Sequence, residues 1–212
     1  MKIIEPQVVP LNLPDKEVLY QVLETAGRTC YQSERVEGDT SAKFLQRTIS
    51  RGHMAVMEHM TISLLFICDR GVSHEIVRHR MASYCQESTR YCNYSKGRFG
   101  SELTFIKPCF WEENSLSYKI WESCCEDSER AYMDMLNAGS SPQEARSILP
   151  NSLKTQIVVT MNIREWRHFL NLRYFGTAGT PHPQMKQVAK MAWDILYSNY
   201  PEIFGDLQEN SK

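Results

Sequence analysis

Within RHRMASYCQESTRY, Arg78 to Tyr91, three guanidiniums, one imidazole, two phenols and three hydroxyls stand against a single carboxylate, Glu87. A solvated surface helix intersperses both signs of charge. This segment reads instead as one built to hold an anion. Planar guanidinium forks match phosphate oxygens, Ser88 and Thr89 add hydroxyls, and the tyrosines offer flat faces to a base or a fused ring. The chain has neither G-x-G-x-x-G nor G-x-x-x-x-G-K-[ST], so the phosphates of a nucleotide would be met by side chains rather than by a glycine-rich backbone turn.

More cations recur far along the chain. Arg146 belongs to SPQEARSIL, where Ser141, Pro142 and Glu144 spell a capping box with proline at the first helical position. In NIREWRHFLNLR, at about 100° per residue, Arg164 and His168 fall about 40° apart, whereas Arg173 falls between Phe169 and Trp166 on the apolar side. A guanidinium on a buried stripe is costly unless something polar or negative meets it. The bland alternatives are a solvated basic loop for Arg78 to Arg90 and, for Arg173, an internal salt bridge or a frayed last turn.

Other chemistries find less support. His53, Glu58 and His59 come nearest to a metal set, yet their spacing is not H-E-x-x-H and no Cys/His pair completes a site, so no metal is expected. Ser88 sits in no G-x-S-x-G elbow. Cys85 and Cys92 flank the arginine-rich stretch but read as packing residues, so no protein nucleophile is assigned.

The elements that must position these groups follow from periodicity. PDKEVLYQVLETAG predicts a helix with Val18, Leu19, Val22, Leu23 and Ala26 on its inner stripe and a stop at Gly27, and TSAKFLQRTISRG a second helix ending at Gly52. MTISLLFIC, ELTFIKP and KTQIVVTM read as strands. Asp69 is expected to cap a short helix that delivers Arg78, His79 and Arg80 at its end, and Asn162 to cap the helix carrying Arg164 to Arg173. A long helix is expected from about 114 to 136, with Gly139 beyond it, and HPQMKQVAKMAWDILYSNYP as a final helix. The result is an α+β fold, a central sheet flanked by helices, in a single domain over 1–212 with a frayed tail after about 205.

Composition narrows the partners. With 24 basic and 25 acidic residues the chain carries a formal charge of -1, so no global field draws it to nucleic acid or to an anionic membrane. A single-strand nucleic-acid platform built on the Arg/Tyr stretch is the rival that this charge disfavours. No run approaches the length of a membrane span, and the start lacks a signal-like apolar stretch; a soluble, cytoplasmic protein is expected. The seven cysteines, odd in number and without C-x-x-C, are expected to be reduced and mostly buried.

Arg78, His79 and Arg80, followed by seven residues and Ser88, resemble the signature of the flavin-dependent thymidylate synthases. RGHMAVMEH, EARSILP, NIREWRHFLNLR and PHPQM resemble further segments of that family in the same order, over roughly residues 20 to 200. The resemblance implies reductive methylation of dUMP to dTMP, with FAD as cofactor, methylenetetrahydrofolate as carbon donor and NADPH as reductant. It also implies a homotetramer with active sites shared between subunits. By position, His53, Arg78, His79, Arg80, Met81 (through its backbone), Gln86, Asn162, Arg164 and His168 would contact FAD, with His53 also near the folate. Glu75, Arg78, Gln86, Glu87, Ser88, Thr89, Arg90, Arg146 and Arg173 would hold dUMP. Departures are Ala55, where relatives often carry Ser or Thr, Glu75 for a frequent glutamine, His168 for an asparagine in some relatives, and the insertion YFGTAGT before His182. Uracil C5 is a poor nucleophile until the ring gains anionic character, and a guanidinium beside N3 and O2 favours that form; Arg173 is the candidate, with Arg90 and Arg146 on the phosphate. Another flavoenzyme or nucleotide-modifying enzyme on the same scaffold is the second rival.

Overall fold

The computed structural model describes residues 1–97 and 100–209. In chain order the elements are β1 (Lys2–Ile4), β2 (Gln7–Asn12), α1 (Lys16–Tyr31), α2 (Ser41–Ser50), β3 (Thr61–Asp69), α3 (Arg70–Ile76), β4 (Ala82–Gln86), β5 (Thr104–Ile106), α4 (Leu116–Asn137), α5 (Pro142–Ala145), β6 (Lys154–Asn162), α6 (Ile163–Arg173), α7 (Pro183–Asn199), α8 (Pro201–Phe204) and α9 (Asp206–Glu209). Short 3-10 turns occupy Met54–Glu58 and Arg146–Ile148. The mixed helix-and-sheet class is as the sequence predicts. One sheet has the order β2-β3-β6-β4, and β1 pairs with β5 in a separate parallel ribbon, with Ile3 opposite Phe105. None of the described helices is long and apolar enough to cross a membrane.

Internal contacts divide the chain into two compact units. The first comprises Met1–Gln7, Phe66–Arg78 and Cys85–Ile157; the second comprises Val8–Leu65, His79–Tyr84 and Val158–Lys212. In the first, Tyr94, Leu103, Phe105, Cys125, Tyr132 and Leu153 form the core. Helix α4 starts where the Ser115 hydroxyl accepts the Tyr118 N–H, and Gly139 follows its end at φ +98, a left-handed turn that a side chain would strain. In the second unit, α1 packs on α2 and α6 on α7. Trp166 is fully buried and donates its indole N–H to the Ile62 carbonyl at 3.1 Å, so the largest apolar side chain of α6 is also polar-satisfied.

Some expectations fail for identifiable reasons. Helix α1 runs four residues past Gly27, because that glycine is a packing position: a Cβ there would lie 2.8 Å from the Phe44 ring. The left-handed stop is Gln32, at φ 48. Leu19 and Leu23 are buried as expected, but Val18 and Val22 face outward, and Tyr20, Glu24 and Gly27 complete the buried stripe. Glu24 can sit inside because Arg28 and the Ser41 hydroxyl meet its carboxylate at 2.7 and 2.6 Å; burial alone would raise its pKa, and these partners hold it below the usual carboxylate value. Residues 206 and 207, the start of the expected frayed tail, are held in place. Leu207 is buried and Asp206 pairs with the buried Arg167 at 2.6 Å, while the last expected tail residues, 210–212, lie outside the described ones. All seven cysteines are free, but only Cys68 and Cys125 are buried, whereas Cys30, Cys85, Cys109 and Cys124 are exposed. Adjacent Cys124 and Cys125 differ because neighbours on a helix point about 100° apart. Strands β1 and β2 are too short, and β2 too interrupted by Pro10, to register in the sequence pattern.

Candidate functional site

In the first unit, β3 ends at Asp69, whose Oδ1 accepts the Val72 N–H at 2.7 Å and starts α3. Two turns later the helix closes, with the Arg78 N–H on the Glu75 carbonyl, which leaves Arg78 exposed and Glu75 half-buried. Gln86, the last residue of β4, donates its amide to the Ser73 hydroxyl at 2.8 Å and to the Thr155 hydroxyl at 3.2 Å. The Glu87 carboxylate is taken up internally: Lys154 donates to it at 2.7 Å and Tyr94 at 2.9 Å. Burial and the adjacent Glu87 charge push the Tyr94 phenol well above its ordinary pKa, so it stays a donor.

With Glu87 neutralised, the next four residues form a cationic turn. The Ser88 carbonyl accepts the N–H groups of Tyr91 and Cys92, and its hydroxyl accepts that of Arg90 at 3.3 Å. This turn sends Thr89 inward, 6% exposed, and Arg90 outward. Arg90 donates to the Gln143 side-chain Oε1 at 3.2 Å and lies 5.2 Å from the centre of the Tyr91 ring, while Arg146 donates to the Thr89 hydroxyl at 3.5 Å. Arg146 falls just past the α5 helix, in the 3-10 turn. The Glu144 carboxylate anchors that start by accepting the Ser141 N–H and hydroxyl at 2.7 and 2.6 Å. Among the described residues neither Arg90 nor Arg146 is ion-paired with a carboxylate. Each is oriented by a neutral partner and keeps its charge for an anion.

In the second unit, the Asn162 side chain accepts the Glu165 N–H at 2.8 Å and begins α6 as expected. His79 is 4% exposed and is the middle link of a hydrogen-bonded chain: its Nδ1 lies 2.9 Å from Glu165 Oε1, and its Nε2 lies 3.2 Å from Arg173 Nε. A carboxylate only accepts and a guanidinium only donates. The imidazole is therefore the neutral Nδ1–H tautomer with a bare Nε2. Burial, opposed by Glu165 and aided by the charge of Arg173, holds the His79 pKa below its ordinary value. Phe169 and His168 meet the ring edge-on at 5.0 and 5.6 Å, and the Tyr84 hydroxyl donates to the His79 carbonyl. Burial and the Glu165 charge move Tyr84 up to about 12.

The remaining expected residues of this unit lie outward. Arg80 and His168 are exposed, and Met81 is 67% exposed. Arg164 pairs with Glu58 at 2.6 Å, both half in solvent. His53 lies over Tyr31, ring centres 6.5 Å apart and planes 24° from parallel, at a cavity of about 390 Å³ lined also by Phe44, Arg47, Arg51 and Val56. Ala55, in the turn that follows, has no hydroxyl to offer. His79, Glu165 and His168 bring three possible ligand atoms within 4.8 Å of one another. With Nδ1 on Glu165 and Nε2 on a guanidinium, however, His79 has the chemistry of a hydrogen-bond relay rather than of a metal ligand.

Sequence reasoning missed Glu165, Lys154, Tyr94 and Gln143. Glu165 left a signal: with Phe169 and Arg173 it follows i, i+4, i+8, one stripe of α6, but an acid in the first helical turn reads as a complement to the helix dipole. Lys154, Tyr94 and Gln143 left none, because their partners are 67, 7 and 53 residues away on other elements.

Residues 16–202 match the family model described as Thymidylate synthase complementing protein. A protein of Pyrococcus furiosus named Flavin-dependent thymidylate synthase is 34% identical over 164 residues, 77% of this chain and 64% of that protein. A protein of the same name from Mycobacterium sp. (strain KMS) is 30% identical over 226 residues, 94% of this chain and 85% of that one. The matched part thus spans less than two thirds of the Pyrococcus relative. The crystal structure of a UMP/dUMP methylase PolB from Streptomyces cacaoi bound with 5-Br dUMP superposes with a TM-score of 0.79 at 19% identity, covering 99% of this chain and 97% of that one, which establishes a shared fold.

Proposed function

The chain belongs to the thymidylate synthase complementing protein family, and from that premise we propose that it is a flavin-dependent thymidylate synthase. It methylates C5 of dUMP to give dTMP, with methylenetetrahydrofolate as carbon donor, NADPH as reductant, FAD as cofactor and no protein nucleophile. The observation that carries this reading is the turn at Ser88 to Tyr91, where Arg90 and Arg146 are oriented by Gln143 and Thr89 and neither is ion-paired among the described residues. Two fixed guanidiniums and the Ser88 hydroxyl suit a phosphate monoester. The interior neutralisation of Glu87 by Lys154 keeps a carboxylate from repelling it. Glu75, Arg78 and Gln86 are assigned to the rest of the nucleotide.

Arg173 is assigned to the pyrimidine. Half-buried and held through Nε by an uncharged imidazole, it keeps its own positive charge in a low-dielectric setting, where it favours negative charge on O2 and N3 and makes C5 nucleophilic. The new carbon–carbon bond forms at C5 as the one-carbon unit leaves the folate nitrogen, its C–N bond breaking, and the C5 proton departs.

The donor set fits a flavin dinucleotide. Arg78 and Arg80 are exposed cations, and Arg164 is held by a surface pair of the kind worth less than about 1 kcal/mol, which a diphosphate can displace. His53 on Tyr31 offers a ring stack beside an apolar and cationic cavity. Asn162, His79, His168, the Met81 backbone and Gln86 complete the assigned contacts. When bound, the reduced flavin supplies the electrons that complete the methyl group. A homotetramer with active sites shared between subunits, a cytoplasmic location and a single functional domain over 1–212 belong to the same proposal. No nucleic-acid or membrane partner is assigned.

The test is direct. Purified protein is expected to be yellow, to release FAD on denaturation, and to oxidise NADPH in a dUMP-dependent manner with dTMP as the product when the folate donor is present. A colourless protein, or oxidation without dTMP, refutes the reading.

A further inference from the structure

Glu165 belongs to no expected set of binding residues, yet it is the far end of a chain of contacts that reaches Arg173 through His79. From the geometry we infer that Glu165 is a positioning residue for the reaction: by accepting His79 Nδ1–H at 2.9 Å it forces the bare Nε2 toward Arg173, whose Nε–H it then receives at 3.2 Å, so that the carboxylate fixes the plane of the guanidinium. This inference rests on the reading of Arg173 as the pyrimidine-polarising cation.

The argument is one of proton inventory. Arg173 has no acceptor to offer and cannot be deprotonated, so the contact exists only while Nε2 carries no proton. Left to itself, a neutral imidazole can carry its proton on either nitrogen. With the proton on Nε2, two donors face each other and the guanidinium is turned away. The Glu165 carboxylate selects against that state because it can only accept. Its backbone is held in turn by the Asn162 cap at 2.8 Å, so the acid sits on a fixed helix start rather than on a mobile loop. The ring plane is fixed from the sides by Phe169 and His168 at 5.0 and 5.6 Å, and the backbone of His79 by the Tyr84 hydroxyl on its carbonyl. Protonating His79 breaks the chain at the same atom. The charged and titratable groups that face the ring are Glu165, His168 and Arg173 from α6 and Tyr84 from β4.

The arrangement assigns different work to two residues about two turns apart on one helical stripe. Arg173 is assigned to the substrate, while the Glu165 carboxylate acts on it through the imidazole. Loss of Glu165 should therefore leave ground-state binding in place and reduce the fraction of bound substrate that meets a correctly aimed guanidinium, a defect of orientation worth up to about 100-fold.

The experiment compares Glu165→Ala, Glu165→Gln and Arg173→Ala as flavin-loaded proteins, measuring FAD content, KM for dUMP and kcat for dTMP formation. Expected for Glu165→Ala is normal flavin content, a KM within about 3-fold of wild type and a kcat lowered roughly 10- to 100-fold. Glu165→Gln keeps an acceptor oxygen and is expected to recover part of that loss. Independently, ¹⁵N spectra of histidine-labelled wild-type protein should show His79 protonated at Nδ1 and bare at Nε2. If Glu165→Ala does not fold, this reading in wild type alone decides: a protonated Nε2 overturns the inference. Wild-type kcat in Glu165→Ala overturns it as well, provided Arg173→Ala is impaired. If Arg173→Ala itself turns over normally, the assignment of Arg173 falls first and this inference with it; the two failures are thus told apart.

Discussion

The two compact units treat a guanidinium in opposite ways. In the first, Arg90 and Arg146 are exposed, lightly held by a glutamine and a threonine, and the nearby carboxylate of Glu87 is consumed by Lys154 and Tyr94. In the second, Arg173 is half-buried and tied through its Nε to a buried histidine that is itself anchored by Glu165. On the proposed assignment, the difference teaches what each task requires. Holding a phosphate needs charge left over and tolerates small errors of aim, because a point-like dianion accepts from many directions. Polarising a ring needs aim before charge, because the charge that matters develops on two particular atoms.

That contrast can be broken experimentally, most visibly at Arg173. Arg173→Ala is expected to lower kcat for dTMP formation by roughly 10²- to 10³-fold while the protein keeps its flavin; an unchanged kcat would erase the distinction between the units. Next comes Lys154→Met, which strips Glu87 of its cation. With side chains only 15% and 9% exposed, the pair is nearly interior, and the substitution should cost about 2 kcal/mol of stability, read from urea melts. A stability within 0.5 kcal/mol of wild type, as is usual at an exposed site, would mean that solvent already screens this pair.

A milder effect is expected at Arg146. Arg146→Ala should weaken dUMP binding about 10-fold, with kcat little changed and a shallower salt dependence than wild type. A lowered kcat with unchanged binding would move Arg146 from the holding task to the aiming one.

Finally, His79 gives the second unit a pH signature. Its folded pKa lies below the unfolded value of about 6.5, so in the window between the two the unfolded chain binds a proton that the folded chain refuses. Stability is therefore complete above about 6.5 and declines as pH falls through the folded pKa. The carboxylates held low, Glu24 and Glu202 among them, act in a lower window, beneath their ordinary value of 4.5. Denaturant melts between pH 7.5 and 5 should show this decline; a rise in stability on acidification would contradict the neutral imidazole.

Much of this was legible in local sequence because the signals are local. Asp69 and Asn162 cap the helices they precede, MTISLLFIC is a strand, and Gly139 follows the long helix. Each depends on residues within four positions of one another. Periodicity misjudged α1 because an apolar stripe says which residues can be buried, not which side receives a neighbour. Val18 and Val22 lost to Tyr20, Glu24 and Gly27 once Phe44 and Arg28 were in place. Residues 206 and 207, expected within the frayed tail, are held for a similar reason, since Asp206 finds Arg167 and Leu207 is buried.

By itself the sequence determined the inventory of charge: where the arginines are, that no glycine-rich cradle exists to replace them, and which helix carries Arg173 on its apolar side. Tertiary structure decided which charges remain available. Glu87 is cancelled by a lysine 67 residues away, Arg90 and Arg146 are oriented without being neutralised, and a histidine 94 residues before Arg173 is held in one tautomer by an acid from the same helix. The reason is physical. Charge is a property of composition, but hydrogen-bond direction and protonation state belong to distances of about 3 Å, and only folding sets those.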